Sequence, residues 1–227
     1  MSARQITHFL GAVAVTAWAA LLSTPIDIAS AAPCPDVEVT FARATTEPPG
    51  VGVVGQQFID ALRSQVGGRS VGVYAVNYPA SEDFVASTNA GTSDANAHVT
   101  STIANCPNTK VVLGGYSQGA MVIDQITIAQ FPLAGFVPET LSADQADHVA
   151  ALAFFGNPAD RYLGAPVSTV SPWYGAKTID MCAPGDPICS PGGLALPTHD
   201  EMFSAAHLSY EQSGMPSQAA TFVAGHL

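Results

Sequence analysis

Lys110-Val111-Val112-Leu113-Gly114-Gly115-Tyr116-Ser117-Gln118-Gly119-Ala120-Met121-Val122-Ile123 is the stretch that decides the fold of this chain. Its first half, Lys110 to Tyr116, is a nearly continuous apolar run and reads as a strand buried on both faces. Its second half continues as a helix from Met121 to Ile128. Between them Gly115-Tyr116-Ser117-Gln118-Gly119 fits the pattern G-x-S-x-G. The string alone is weak, but it stands where an apolar strand hands over to a helix, as a nucleophile elbow requires. Flanking glycines permit a tight turn that lifts the Ser117 hydroxyl above a sheet, toward the helix N-terminus. The bland alternative is a glycine turn without chemistry.

Outward from this point strands and helices alternate. Val37 to Phe41, Val71 to Val76, Val149 to Phe155 and Thr178 to Met181 read as further strands. Phe58, Ile59, Leu62 and Val66 recur at helical spacing, Ser93-Asp94 caps a helix carrying Val99 and Ile103, and a last helix runs from about Ser217 to Leu227. Such alternation predicts an α/β fold: a five-stranded parallel sheet with helices on both faces. Ser81–Thr92, Phe131–Gln145, Asn157–Ala176 and Ser190–Ala206 read as irregular and too long for plain connectors, which makes them candidate site walls.

The 227 residues hold 7 Lys+Arg against 18 Asp+Glu, a net charge of −11. That balance argues against nucleic acid, which needs clustered cations, and against docking on anionic lipid. A hydrophobic content of 48% excludes disorder and supplies the core of one domain. The chain opens with Arg4, an apolar run from Phe9 to Leu22, and the small residues Ala29-Ser30-Ala31. The run is shorter than the roughly 20 residues of a spanning helix, so we expect a signal peptide over 1–31, cut after Ala31, and one mature domain over 32–227. We expect a secreted, extracellular monomer without stable membrane insertion.

Export permits disulfides. Cys182 and Cys189 enclose Ala183-Pro184-Gly185-Asp186-Pro187-Ile188, a turn-rich stretch that suits a local clasp, which leaves Cys34 for Cys106. Zinc is the rival, but Cys34 and Cys106 lack paired ligands at finger spacing. On the chain-entropy argument the long loop is worth about 4 kcal/mol and the short one about 2.5.

A serine nucleophile needs a histidine to take its proton and a carboxylate to orient that histidine, in the chain order Ser, acid, His for this kind of sheet. His148 precedes a strand and faces the wrong end of the sheet, and His226 lies in the terminal helix. His199 and His207 both follow the last strand. The acids there are Asp180, Asp186, Asp200 and Glu201. Asp180 belongs to a strand interior, whereas Asp186 lies beyond the strand inside the cysteine clasp, where a short bridge would hold a carboxylate at fixed geometry.

The elbow, the segment Cys182 to Cys189, and Ala206-His207-Leu208-Ser209-Tyr210 together resemble the cutinase family, in the same order. So do Cys34 ahead of the first strand and Cys106-Pro107 ahead of the third. The likeness spans nearly the whole mature chain and is greatest to the cutinase-like proteins secreted by mycobacteria. It implies an α/β-hydrolase-type single domain without a large lid, acting as a serine esterase with Ser117 as nucleophile, Asp186 as acid and His207 as base. It also implies the pairs Cys34–Cys106 and Cys182–Cys189, and no metal or cofactor. An oxyanion hole needs two donors. The Gln118 N–H is one, and the family's second donor position falls on Thr45 in Arg43-Ala44-Thr45-Thr46-Glu47. The family shows glycine where this chain has Ala44. A φ that only glycine tolerates there would displace the hole and leave activity modest.

Phe84, Val85, Leu194, Leu196, Met202, Phe203 and Leu208 sit on loops expected to flank Ser117 and suggest an apolar acyl groove. No cation is placed for an anionic head group, which favours a small neutral ester or lipid, an ester of a short-to-medium fatty acid. An acetylxylan-esterase-type carbohydrate deacetylase is the alternative, and would need polar sugar contacts. A non-catalytic surface protein that has kept the fold is the third reading.

Overall fold

The computed structural model describes residues 33–193 and 195–227. The expected signal peptide over 1–31 and the groove candidate Leu194 lie outside them. Chain order is β1 (Val37–Ala42), α1 (Gly52–Gln65), β2 (Val71–Ala75), α2 (Phe84–Asn105), β3 (Lys110–Tyr116), α3 (Gln118–Thr127), α4 (Ala143–His148), β4 (Val149–Phe155), α5 (Pro158–Leu163), α6 (Val167–Val170), β5 (Thr178–Met181), α7 (His199–Met202) and α8 (Met215–Ala224). The five strands form one parallel sheet in the order β2-β1-β3-β4-β5. The fold is α/β-hydrolase-like. Its order reverses between β1 and β3, so the loops after these two strands part at their carboxyl ends and leave a crevice there. Ser117 follows β3 and Thr45 follows β1.

Two apolar layers cover the sheet. On one face Val111, Leu113, Leu152 and Phe154 meet Val99 of α2 and Val122, Ile123 and Ile126 of α3. On the other Phe41, Val112 and Phe155 meet Phe58, Ile59 and Leu62 of α1 and Val223 of α8. Two disulfides are present, Cys34–Cys106 and Cys182–Cys189. The first ties the segment ahead of β1 to the end of α2.

Helix α2 corrects one expectation. Residues from Phe84 to Thr92 are helical rather than irregular, and Ser93-Asp94 lies inside the helix rather than capping it. The segment is rich in Ala, Ser, Thr, Asn and Gly, whose propensity and periodicity announce no helix. Close packing supplies what propensity lacks: the place of a Cβ on Gly91 is 2.8 Å from Val122 and 3.1 Å from Tyr78, so α2 lies tight on α3. The Asp94 carboxylate accepts from the Tyr74 hydroxyl at 3.0 Å and the Asn77 N–H at 2.8 Å, which pins the helix to the end of β2.

At α3, the buried carboxyls of Asp124 and Asp160 lie near the half-buried Asp180. Burial raises Asp124 well above the usual carboxylate range, and neighbouring Asp160 and Asp180 push it the same way. Asp160 is pushed up to about 8 by burial and then by Asp180. A raised native pKa gives stability that is complete below the unfolded value, near 4, and is lost as pH climbs toward 8. Asp160→Asn keeps an oxygen for the Val167 N–H, which the wild-type Oδ1 accepts at 3.3 Å. It is therefore expected to raise Tm at pH 8 by at least about 4 °C, with the gain shrinking below pH 5, as thermal melts at the two pH values will read.

Candidate active site

Ser117 turns the chain from β3 into α3 with φ 57° and ψ −119°, a backbone region that side-chain-bearing residues rarely adopt. The turn is held on both sides. The Ser117 N–H donates to the Phe155 carbonyl at 2.9 Å, and its own carbonyl accepts from the Ala120 N–H at 2.9 Å. The two motif glycines are required by contact: a Cβ on Gly115 would stand 2.3 Å from the Gly119 carbonyl oxygen, and one on Gly119 2.0 Å from that of Ala42. The helix therefore starts at Gln118, three residues before the first apolar residue that sequence periodicity detects.

His207 Nε2 stands 2.9 Å from Ser117 Oγ, and its Nδ1 stands 2.9 Å and 3.1 Å from the two oxygens of Asp186. Ser117 is 5% exposed, His207 2% and Asp186 0%. Asp186 lies in the loop closed by Cys182–Cys189. Its Oδ1 accepts from the Ile188 N–H at 2.8 Å, and its Oδ2 accepts from the Tyr210 hydroxyl at 2.6 Å. That hydroxyl in turn accepts from the Ala183 N–H at 3.0 Å. Burial and the facing Asp186 charge push the Tyr210 pKa far upward, so the phenol stays a proton donor. The Tyr116 hydroxyl donates to the His207 carbonyl, and its ring packs 5.3 Å from the imidazole. Gly156, at φ 53° after β4, leaves the space for this pair: a Cβ there would meet the imidazole at 2.8 Å and Asp186 Oδ2 at 3.0 Å.

Sequence reasoning assigned no role to Tyr210, Tyr116 or Gly156. Tyr210 carried one signal, its position three residues after His207. Gly156 carried the other, a glycine at the end of an apolar strand.

The competing histidines and acids are engaged elsewhere. His199 is exposed beside Asp200 and packs on Phe203. His148 ends α4 ahead of β4, and His226 is set against the Phe222 carbonyl. Asp180 accepts from the Ser168 N–H at 2.9 Å, while Glu201 pairs with Arg161 at 2.9 Å.

On the opposite side of Ser117, the loop after β1 is braced by Arg43. Its guanidinium donates to the carbonyls of Glu47 at 2.8 Å and Tyr78 at 2.7 Å. The Ala44 N–H donates to Glu47 Oε2 at 2.7 Å. Ala44 is absent from the positive-φ residues, its side chain buried in the α1 layer, so this position does not need glycine. The expected displacement of the loop therefore does not arise. Thr45 Oγ1 is buried without a hydrogen-bond partner, on the wall of a cavity shared with Ser117 and His207. The Gln118 N–H opens α3, where a backbone donor has no intrahelical acceptor. Its side chain is fixed by the Ser81 carbonyl at 2.8 Å and the Ser87 hydroxyl at 3.0 Å.

Of the groove candidates, Phe84, Leu196 and Met202 share a narrow cleft with Ser117, and Met202, Phe203 and Leu208 line a cavity of about 280 Å³ on the His207 side. Val85 is a correction: it packs against the α2–α3 core and faces Gly135, not the cleft, because the helical start of α2 turns it inward.

The cutinase family model matches residues 33–227. Carboxylesterase Culp1 of Mycobacterium tuberculosis is 49% identical over 234 residues, covering 100% of this chain and 98% of the relative. Among solved structures, a Trichoderma reesei cutinase in complex with a phosphonate inhibitor is 35% identical with a TM-score of 0.64, over 86% of this chain and 77% of that one. The catalytic core domain of acetyl xylan esterase from Trichoderma reesei is 26% identical with a TM-score of 0.67, over 86% and 100%. An elbow serine at the sheet's carboxyl edge, and a family match along residues 33–227, lead to one conclusion: the chain belongs to the cutinase family of carboxylic ester hydrolases.

Proposed function

We propose that the protein is a secreted serine esterase that cleaves carboxylic esters of fatty acids by acyl transfer through Ser117, His207 and Asp186. The observation that carries this is the unbroken hydrogen-bonded series from Ser117 Oγ through the imidazole to a fully buried carboxylate. Asp186 fixes the imidazole with Nδ1 protonated and Nε2 free to accept. His207 takes the Ser117 proton as the hydroxyl attacks the ester carbonyl, and the Gln118 N–H with Thr45, through its N–H and hydroxyl, holds the oxyanion. His207 returns the proton to the departing alcohol. Water, deprotonated by the same imidazole, then frees the acid.

The apolar walls at Phe84, Leu196 and Met202 beside Ser117 suit the start of an acyl chain rather than a charged or sugar group, which favours esters of short-to-medium fatty acids. The likeness to an acetyl xylan esterase favours a second reading, deacetylation of a carbohydrate. The two separate in one assay, hydrolysis of p-nitrophenyl acetate, butyrate and octanoate beside acetylated xylan. We expect turnover of the butyrate and octanoate esters and little acetate release from xylan. Activity on xylan alone would transfer the conclusion to the deacetylase, and none on any ester would remove the esterase reading.

A further inference from the structure

Along α3, beyond the cleft that holds Ser117, lies a cavity of about 790 Å³. It is walled by α3 and the segment after it from Met121 to Phe136, by α5, and by the end of α6 and the loop after it, with Val170 and Trp173. Met121, Phe136, Tyr162 and Leu196 line both this cavity and the Ser117 cleft. The two spaces therefore meet at a common wall of flexible side chains.

The lining suits one kind of occupant. Six of the eleven large hydrophobic side chains exposed among the described residues, Phe131, Leu133, Leu163, Val170, Trp173 and Leu196, ring this cavity, each 46% to 68% exposed. Apolar surface gathered in this way is characteristic of a site that a ligand covers. Its one carboxyl, Asp124, is pushed toward its neutral form by burial beside Asp160 and Asp180. Among the described residues that line the cavity there is no Lys or Arg to bind an anionic head group. The volume lies within the roughly 300–1,000 Å³ of sites that enclose small ligands. From Ser117 to Thr127, the end of α3, the helical path is about 15 Å, the length of an extended acyl chain of about twelve carbons, and the lining continues beyond it to Phe131 and Leu133. The cavity on the His207 side differs, since Thr46, Glu47 and Glu211 give it polar walls fit for the alcohol portion.

We propose that this cavity holds the acyl chain of long-chain fatty esters bound for attack by Ser117, with Met121, Phe136, Tyr162 and Leu196 as the passage into it. The proposal rests on the esterase reading and extends it from short-to-medium to long acyl chains. No new chemical step is involved, because the ester bond breaks at Ser117 for every chain length.

The test is the ratio of kcat/KM for p-nitrophenyl palmitate to that for p-nitrophenyl butyrate. It is measured on the wild type and on Ala129→Trp and Leu163→Trp, which fill the cavity from two segments of its lining, the one after α3 and α5. Each substitution is expected to lower the ratio at least tenfold while circular dichroism keeps the wild-type spectrum. An unchanged ratio in a folded variant overturns the proposal and leaves the esterase reading standing. Absence of butyrate hydrolysis by the wild type would instead overturn the reading beneath it.

A second measurement avoids the filled variants. Trp18 and Trp173 are the only tryptophans in the sequence, and Trp18 falls in the expected signal peptide. In leaderless Ser117→Ala protein, palmitate is expected to shift Trp173 emission to shorter wavelength. No shift at saturating palmitate overturns the proposal, as does a shift that appears on raising protein concentration alone, which would assign the groove to a second copy.

Discussion

Ser117→Ala is expected to lower kcat for p-nitrophenyl butyrate by about ten thousandfold or more, with Tm within about 2 °C of wild type. The substitution deletes one oxygen and keeps the Cβ, so the φ of 57° costs alanine no more than it costs serine. The elbow is held by backbone bonds to Phe155 and Ala120, which the variant retains. What disappears is the atom 2.9 Å from His207 Nε2, and with it the acyl-enzyme route. The remaining rate would come from the oxyanion donors and binding alone, and from water reaching the imidazole. Steady-state kinetics and a thermal melt on the same preparation read both quantities. Undiminished turnover in the folded variant would sink the assignment of the nucleophile.

The sheet and the elbow were legible because parallel strands buried on both faces leave continuous apolar runs, and because a serine between two glycines at such a run's end has few other uses. The histidine was not decided by local pattern. His199 and His207 both follow β5, and tertiary contacts alone separate them: His207 meets Ser117 and Asp186 and packs on Tyr116, all distant in sequence. Family resemblance supplied what spacing could not. Helix α2 was misread because after Phe84 and Val85 its first turns are made of small residues, Ala, Ser, Thr, Asn and Gly, which let α3 come close, a tertiary effect without a periodic signature. The same error placed Val85 on the groove. The large cavity was illegible for a different reason: its walls come from segments spread between Met121 and Leu196, and none of them alone differs from an ordinary surface loop.

Asp186→Asn should be nearly as damaging, about a thousandfold to ten thousandfold in kcat, without removing any atom that touches substrate. In the wild type each carboxylate oxygen has a backbone or phenol donor besides the imidazole: Oδ1 the Ile188 N–H, and Oδ2 the Tyr210 hydroxyl. An asparagine can face this pocket in two ways. With its oxygen toward Ile188, the amide N–H₂ points at Tyr210 and at His207 Nδ1. It then donates to Nδ1 and drives the imidazole proton to Nε2, where it blocks acceptance from Ser117. With the amide reversed, the N–H₂ opposes the Ile188 N–H, leaving two donors face to face in a fully buried site. Either arrangement disables the base, the first through the tautomer and the second through displacement of the loop. The readout is kcat for p-nitrophenyl butyrate together with the thermal midpoint, since the first arrangement costs the buried Tyr210 hydroxyl its acceptor and the second costs more stability by opposing two donors and displacing the loop. A folded variant that loses less than tenfold would free Asp186 from the orienting role. Asp180, Asp200 and Glu201 are held by other partners or lie exposed, so such a result would mean that Tyr116 and the packing around His207 orient the base without a carboxylate.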